Sequence, residues 1–314
     1  MPACGREEHY ERVAPAAKSG MNRQEIVWRN FGMLIPADWE MLLFSSEFKH
    51  GRCVFADRNQ FRLEFNWQTV PRAPDFERML RDYRKALEAQ KPVREVGAAD
   101  IAGWHGLAVQ AGNATTARFG RHFPGERCLV EMVFIWPGKR AEHMERQMLE
   151  SVREEAVAAD GTRRWRAFGM EMRVDAKLKL RSCVAQPGRA KLVFDPGRDG
   201  VQRVEFERLG MTAQWLKRPV PEWLRLRVPA TVAVRHEETL SRAGHSVSLC
   251  AGDRRAGGLS RLLGRRCRSD AYAWVCPADG RLYCLTLSGA LPGAAPLSAW
   301  TRLTCCDEFR GAPP

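Results

Sequence analysis

Ten of the 314 residues are cysteine, and six of them cluster late in the chain: Cys250, Cys267, Cys276, Cys284, Cys305 and Cys306, with His236 and His245 nearby. Thiolate and imidazole are the ligand types of tetrahedral zinc. Zinc sites usually supply close pairs such as C-x2-C, whereas the close pair here is the adjacent Cys305-Cys306. On a helix, adjacent side chains diverge by about 100° and do not face one metal. If Pro277 to Gly280 forms a four-residue hairpin loop, Cys276 opposes Arg281 and Cys284 opposes Ala273. Those two thiols then lie on opposite faces of a sheet. The expectation is buried or surface thiols, with no metal and no cofactor.

Other residues with chemical potential recur in pairs. His105 and His245 each follow a glycine at the entrance to a strand, without a matched Ser, Cys or carboxylate. That placement suits a structural hydrogen bond better than general acid–base work. Glu64 and Glu205 each sit in mid-strand between apolar residues and mark the outward side; two carboxylates in separate units do not make a glycosidase pair. No phosphate loop, nucleophile elbow or dinucleotide fingerprint is present, since Gly257-Gly258 lacks the strand-loop-helix context those motifs require. The expected catalytic set is empty.

The strongest binding signal is basic. Residues 1–160 hold 23 Lys+Arg and 23 Asp+Glu, whereas the remainder holds 27 and 14, so the whole net charge of +13 lies in the second half. Arg254, Arg255, Arg261, Arg265, Arg266 and Arg268 concentrate in residues 253–268 with three glycines. Guanidinium groups on a flexible backbone suit a phosphate or a carboxylate-rich surface, and a solvated loop is the competing reading. Leu259, Leu262 and Leu263 add a small apolar face.

The elements that carry these residues come twice. Trp28-Arg29-Asn30-Phe31-Gly32-Met33 returns as Trp165-Arg166-Ala167-Phe168-Gly169-Met170. Gly51-Arg52 returns as Gly188-Arg189, and Leu63-Glu64-Phe65 as Val204-Glu205-Phe206. Gly103-Trp104-His105 through Ala111-Gly112 returns as Ala243-Gly244-His245 through Ala251-Gly252. Four matches in order indicate duplication. Three parts follow: a mobile polar tail, 1–20; a neutral first repeat, 21–159; and a basic second repeat, 160–314, with residues 253–268 inserted between two strands.

Within the first repeat, Phe61, Leu63, Phe65 and Trp67 alternate with polar residues, the period of a half-buried strand. Phe76, Met79, Leu80, Tyr83 and Leu87 fall at helical spacing behind Pro74-Asp75, predicting a helix over 75–90. Further strands are predicted at 52–56, 107–111, 115–121 and 128–136, and a second helix at 141–156. The second repeat keeps strands at 190–194, 201–206, 245–251, 271–276 and 282–287 and a terminal helix at 297–309. Pro219, Pro221 and Pro229 break or shorten its middle helix. The fold class expected from this order is α+β: two tandem antiparallel sheets, each packed with helices.

Phe31-Gly32-Met33-x-Ile35-Pro36-x-x-Trp39, followed by strands with a Gly-Arg turn, a helix, strands and a closing helix, resembles the Mog1/PsbP-like α/β/α sandwich superfamily. That resemblance spans 26–156 and, by duplication, 165–309, and Arg173 and Ala176 depart from the Pro-x-x-Trp part in the second copy. It implies an accessory or binding role without a shared active site.

Together these features point to a non-enzymatic binding or scaffold protein that recognises an acidic protein or other anionic partner through its basic second repeat. The competing classes are an enzyme working in a cleft between the repeats, which requires His105 or His245 in that cleft with carboxylates, and a nucleic-acid binder, which lacks interleaved aromatics in the basic segment. No apolar run is long enough to span a bilayer. The first twenty residues lack the apolar core of a secretory signal, so a reducing cytoplasm is expected. Oligomeric state is not encoded in any motif.

Overall fold

In the computed structural model, residues 22–89, 94–197, 202–255, 266–290 and 302–311 are described; the polar tail expected at 1–20 lies outside them. The first repeat forms β1 (Arg23–Trp28), β2 (Phe31–Pro36), β3 (Glu40–Phe44), β4 (His50–Ala56), β5 (Phe61–Thr69), α1 (Phe76–Glu88), β6 (Arg94–Ile101), β7 (Trp104–Ala111), β8 (Ala114–Phe123), β9 (Cys128–Trp136), α2 (Glu142–Ser151) and β10 (Arg153–Glu154). The second forms β11 (Thr162–Ala167), β12 (Met170–Asp175), β13 (Lys179–Gln186), β14 (Arg189–Asp195), β15 (Arg203–Leu209), α3 (Thr212–Trp215), α4 (Val220–Arg227), β16 (Val232–Arg242), β17 (His245–Arg255), β18 (Arg266–Val275), β19 (Leu282–Ala290), β20 (Leu303–Thr304) and α5 (Asp307–Gly311).

Two seven-stranded sheets have the same strand order, β3-β4-β5-β9-β8-β7-β6 and β13-β14-β15-β19-β18-β17-β16. A third sheet joins them, in the order β10-β2-β1-β11-β12-β20. All pairings are antiparallel. Strand makes up 55% of the described residues and helix 15%. The expected α+β arrangement of helix-packed sheets is therefore replaced by a sheet-dominated fold, and the Mog1/PsbP-like sandwich goes with it. Two of the strands not expected, β13 and β16, lack a continuous buried face. β13 is largely exposed, with only Leu180 and Cys183 half-buried, and β16 is exposed along most of its length. Such edge strands carry no apolar alternation for a reader of sequence to find.

The helices shrank for identifiable reasons. Asp75 caps α1 by accepting from the Arg78 amide at 2.9 Å, as the sequence implied. The helix expected over 141–156 ends at Ser151, where Val152 turns extended and the chain pairs with β2 as β10. Prolines 219 and 221 leave α4 only eight residues. The terminal helix expected over 297–309 is a strand at Leu303–Thr304 followed by α5; residues 297–301 lie outside the described set.

The repeated Trp-Arg motif folds differently in its two copies. Both make a two-residue hairpin whose turn residues need positive φ. The first turns at Arg29-Asn30 (φ 49° and 68°), the second at Phe168-Gly169 (φ 53° and 68°). Asn30 accepts the left-handed conformation; its counterpart by sequence is Ala167, which resists it. The second turn therefore forms two residues later, where Gly169 is available. A two-residue shift leaves every side chain on its original face.

β1 and β11 pair at Val27↔Arg166, which joins the repeats through one ladder. Trp28 and Trp165 meet edge to face at 5.4 Å, and one apolar core contains residues of all three sheets. The opposite side of the seam is charged. Glu25 of β1 accepts from Arg164 at 2.8 Å and Arg166 at 3.3 Å, both on β11, and from Arg153. Burial raises the Glu25 carboxyl pKa, but the hydrogen bonds and charges of Arg164 and Arg153 outweigh it and hold it below its ordinary 4.5.

Two outcomes are expected. Trp28→Ala should cost about 3–5 kcal/mol in urea denaturation, with one transition for both repeats; two separated transitions would show that the core is not shared. Glu25→Gln should cost about 1–2 kcal/mol at pH 7. A lowered folded pKa stabilises above the unfolded value and is lost as pH falls through the folded one. The wild-type chain should therefore lose more stability than Glu25→Gln on acidification below about pH 5, and parallel stability–pH curves would contradict the assignment.

Candidate functional site

The described ends of the basic segment, 253–255 and 266–268, belong to a hairpin. β17 runs to Arg255 and β18 begins at Arg266, with Asp253↔Arg268, Arg254↔Cys267 and Arg255↔Arg266 in register. Four of the six expected arginines (254, 255, 266 and 268) thus occupy paired strand positions. Arg268 is engaged by Asp270 at 2.9 Å. Arg261 and Arg265, with Leu259, Leu262 and Leu263, lie outside the described residues. On the backbone, Arg255 and Arg266 are direct register partners.

The seam holds a cavity of about 170 Å³ lined by Trp28, Arg29, Phe48, Glu126, Arg163 and Trp165 among others. Arg29 is 3% exposed; it donates to the Phe48 carbonyl at 2.6 Å and lies 3.6 Å from Glu126. Arg163 reaches the same Glu126 at 2.7 Å. Neither His105 nor His245 lines this cavity.

The two histidines are not equivalents. Both hairpins turn at Ala-Gly, at Ala102-Gly103 and Ala243-Gly244, all four with positive φ. The first residue after the turn is Trp104 in one repeat and His245 in the other. His105 therefore matches Ser246, and a one-residue slip reverses the face. His105 lies on the outer side, stacked on Phe76 at 4.5 Å and paired with Asp100 at 2.8 Å. His245 points into the core and is 1% exposed.

Around His245 the chain gathers three thiols. Its Nε2 lies 3.4 Å from Cys276 Sγ, 3.4 Å from Cys305 Sγ and 3.6 Å from Cys306 Sγ. The sulfurs of Cys305 and Cys306 are 3.9 Å apart, and all four ligand atoms lie within 4.8 Å of one another. His245 Nδ1 is 2.7 Å from the Ala243 carbonyl. A carbonyl oxygen only accepts, so Nδ1 carries the proton and, in neutral imidazole, the Nε2 lone pair faces the sulfurs. Trp274 Nε1 donates to Cys305 Sγ at 3.3 Å, and the Ala278 and Asp279 amides donate to Cys276 Sγ. Phe309 closes the site, stacked on Trp274 at 5.1 Å and edge-on to His245 at 4.9 Å.

Local structure explains why four residues so far apart converge. The β18–β19 register places Cys284 opposite Ala273, and the Cys276 amide bonds the Arg281 carbonyl at 2.9 Å, the pairing the four-residue loop implied. Cys276 therefore faces the main core and Cys284 the smaller cluster under α4. Cys305 and Cys306 are not helical: they occupy the bend between β20 and α5, where adjacent side chains can turn toward one point. The expectation of a helix at 297–309 had hidden this. The Ala243-Gly244 turn signal, aligned turn to turn, would have put His245 in the core.

His105→Ala should cost less than about 1 kcal/mol, as expected for a surface pair. His245→Ala, which strips a buried hydrogen-bonded group, should cost about 2–4 kcal/mol. Equal losses in chemical denaturation would place both histidines in similar environments and contradict the one-residue slip.

No protein-family model matches the chain, and no curated protein matches it. Among solved structures, the chain is similar to the apo immunity protein TplEi of the T6SS of Pseudomonas aeruginosa, with 8% identity over 90% of this chain and 96% of that one, at a TM-score of 0.32. It is also similar to MucB in complex with MucA(peri), with 10% identity over 87% and 82% and a TM-score of 0.17.

Proposed function

We propose that the chain is a non-enzymatic binding protein that recognises an acidic partner through the β17–β18 hairpin of its basic second repeat. The observation that supports this reading is the Arg255↔Arg266 register pair. That register places arginine opposite arginine on the backbone, beside the stretch of sequence richest in arginine, and such a density of basic residues suits a carboxylate-rich surface. Anchoring the arginines on paired backbone also reduces the ordering cost of binding. An acidic protein is preferred to nucleic acid because β17 carries no aromatic residue and the two of β18, Tyr272 and Trp274, are buried rather than free to stack on bases. The enzyme reading required a histidine in the cavity between the repeats, and the residues around that cavity do not include one. The same proposal places the protein in the cytoplasm. No described helix is long and apolar enough to cross a membrane.

The test is titration of a fluorescent poly-glutamate peptide and, in parallel, a single-stranded oligonucleotide. The triple variant Arg254→Ser, Arg255→Ser, Arg266→Ser should bind the peptide roughly tenfold more weakly and with a smaller salt dependence. Unchanged peptide affinity would remove the hairpin from the site. Tighter binding of the oligonucleotide than of the peptide, with a steep salt slope, would favour nucleic acid instead.

A further inference from the structure

We propose that His245, Cys276, Cys305 and Cys306 form a closed tetrahedral zinc centre that fastens the C-terminal segment to the sheet of the second repeat. A zinc ion holds thiolate sulfur at about 2.3 Å and imidazole nitrogen at about 2.0–2.1 Å, so a regular tetrahedron spaces sulfur from nitrogen by about 3.6 Å and sulfur from sulfur by about 3.8 Å. The observed N···S separations are 3.4, 3.4 and 3.6 Å, and Cys305 and Cys306 are 3.9 Å apart. Four of the six edges of such a tetrahedron thus match, and the remaining two, from Cys276 to Cys305 and to Cys306, are no longer than 4.8 Å; four protein ligands with no open position is the arrangement of a structural site. A soft three-thiolate, one-imidazole set favours zinc over harder divalent ions.

The surroundings are those a zinc–thiolate site needs. The Ala243 carbonyl fixes the imidazole tautomer so that Nε2 is free to coordinate. Three thiolates around a divalent cation leave one net negative charge. The N–H groups of Trp274, Ala278 and Asp279, aimed at Cys305 and Cys276, stabilise it. His245 and Cys276 are fully buried and Cys305 and Cys306 half-buried, so Phe309 and Trp274 keep solvent away from most of the site.

The first repeat supplies an internal comparison. By the Ala-Gly turns, His245 takes the place of Trp104. By the four-residue loops after β8 and β18, Cys276 takes the place of Phe123. Trp104 and Phe123 pack edge to face at 5.9 Å in the first repeat. By the pairings of β10 with β2 and of β20 with β12, Cys305 takes the place of Glu154, whose carboxylate accepts from the Glu126 amide in that same loop. Where one repeat has an aromatic pair and a carboxylate contact, the other has changed every position to a zinc-ligating residue type. Thiols placed in a core merely as small apolar fillers have no reason to converge on the one imidazole lone pair.

The test uses the full-length chain, expressed with zinc in the medium and purified under reducing conditions without chelators. Elemental analysis should find about one zinc per chain, released by a mercurial thiol reagent, and chelation should lower the melting temperature by more than about 5 °C. Replacement by cobalt should give the intense visible and near-ultraviolet bands of tetrahedral thiolate coordination. Cys276→Ser should abolish stoichiometric zinc, while Cys267→Ser, outside the cluster, should retain it. Should Cys276→Ser fail to fold, the cobalt spectrum of the wild-type chain decides. Less than about 0.1 zinc per chain after refolding with zinc, an octahedral cobalt spectrum, full zinc retention by Cys276→Ser, or a disulfide between any two of the three cysteines in the native protein would each overturn the proposal.

Discussion

The pairing of β1 with β11 is the constraint on which the rest of the molecule depends. Each repeat contributes to the joining sheet only one hairpin and one short edge strand, and an isolated two-stranded hairpin is marginal in water. Joined at Val27↔Arg166, the two hairpins form a six-stranded sheet with one apolar and one charged side. The apolar side supplies Trp28, Phe31, Met33 and Ile35 to a core shared with both seven-stranded sheets. The charged side ties Glu25 to Arg164 and Arg166 across the seam. Each half packs its apolar side on the sheet of its own repeat, as Phe31 does on Phe65 and Phe123, and the Trp28–Trp165 contact makes the two cores one.

That constraint also explains what could be read from the sequence. Duplication was legible because matched turns and mid-strand apolar residues carry local signals: Leu63 and Phe65 against Val204 and Phe206, and Asp75 as a helix cap. The arrangement of the copies was not, because it rests on a ladder between Val27 and Arg166, two residues with no local mark of their partnership. The edge strands were invisible for the same physical reason that they sit at edges: β13 and β16 bury little. Sequence similarity even misled where turn chemistry overrode it. The Trp-Arg motif slides by two residues to bring Gly169 into its turn, and the two histidines, matched in the sequence repeat, fall on opposite faces of their strands. For the cluster, the residue types were plain from the start. What was missing was the extended backbone at Leu303–Thr304 that lets Cys305 and Cys306 face the same point.

The basic excess of the second half divides into two physical kinds. Much of it is consumed inside the structure: Arg164 and Arg166 at the seam, Arg189 and Arg227 on the buried Glu207, and Lys191 and Arg203 on Glu205. These pairs position strands and α4 rather than advertise charge, and net charge alone would have overstated the binding surface. In the β17–β18 hairpin the register sets Arg255 opposite Arg266 on the backbone, while Arg268 is held by Asp270.

The cluster can be understood through the same economy of packing. In the first repeat, Trp104 fills the core after its turn, donates to the Leu149 carbonyl at 3.0 Å, and so locks α2, whose Met148 and Leu149 are buried. The end of that repeat is thus held by apolar volume and one hydrogen bond. In the second repeat the described C-terminal helix has only five residues, and His245 and Cys276 occupy far less volume than the tryptophan and phenylalanine they match. Small polar side chains at a large apolar position ordinarily leave a cavity and a stability deficit. Burial also raises the pKa of Cys276 and Cys305, so without a cation these thiols stay neutral and contribute little beyond weak contacts. A bound metal reverses each deficit together: it fills the space, makes the thiolate the favoured form, and replaces the missing helix contacts with four bonds from three distant parts of the chain.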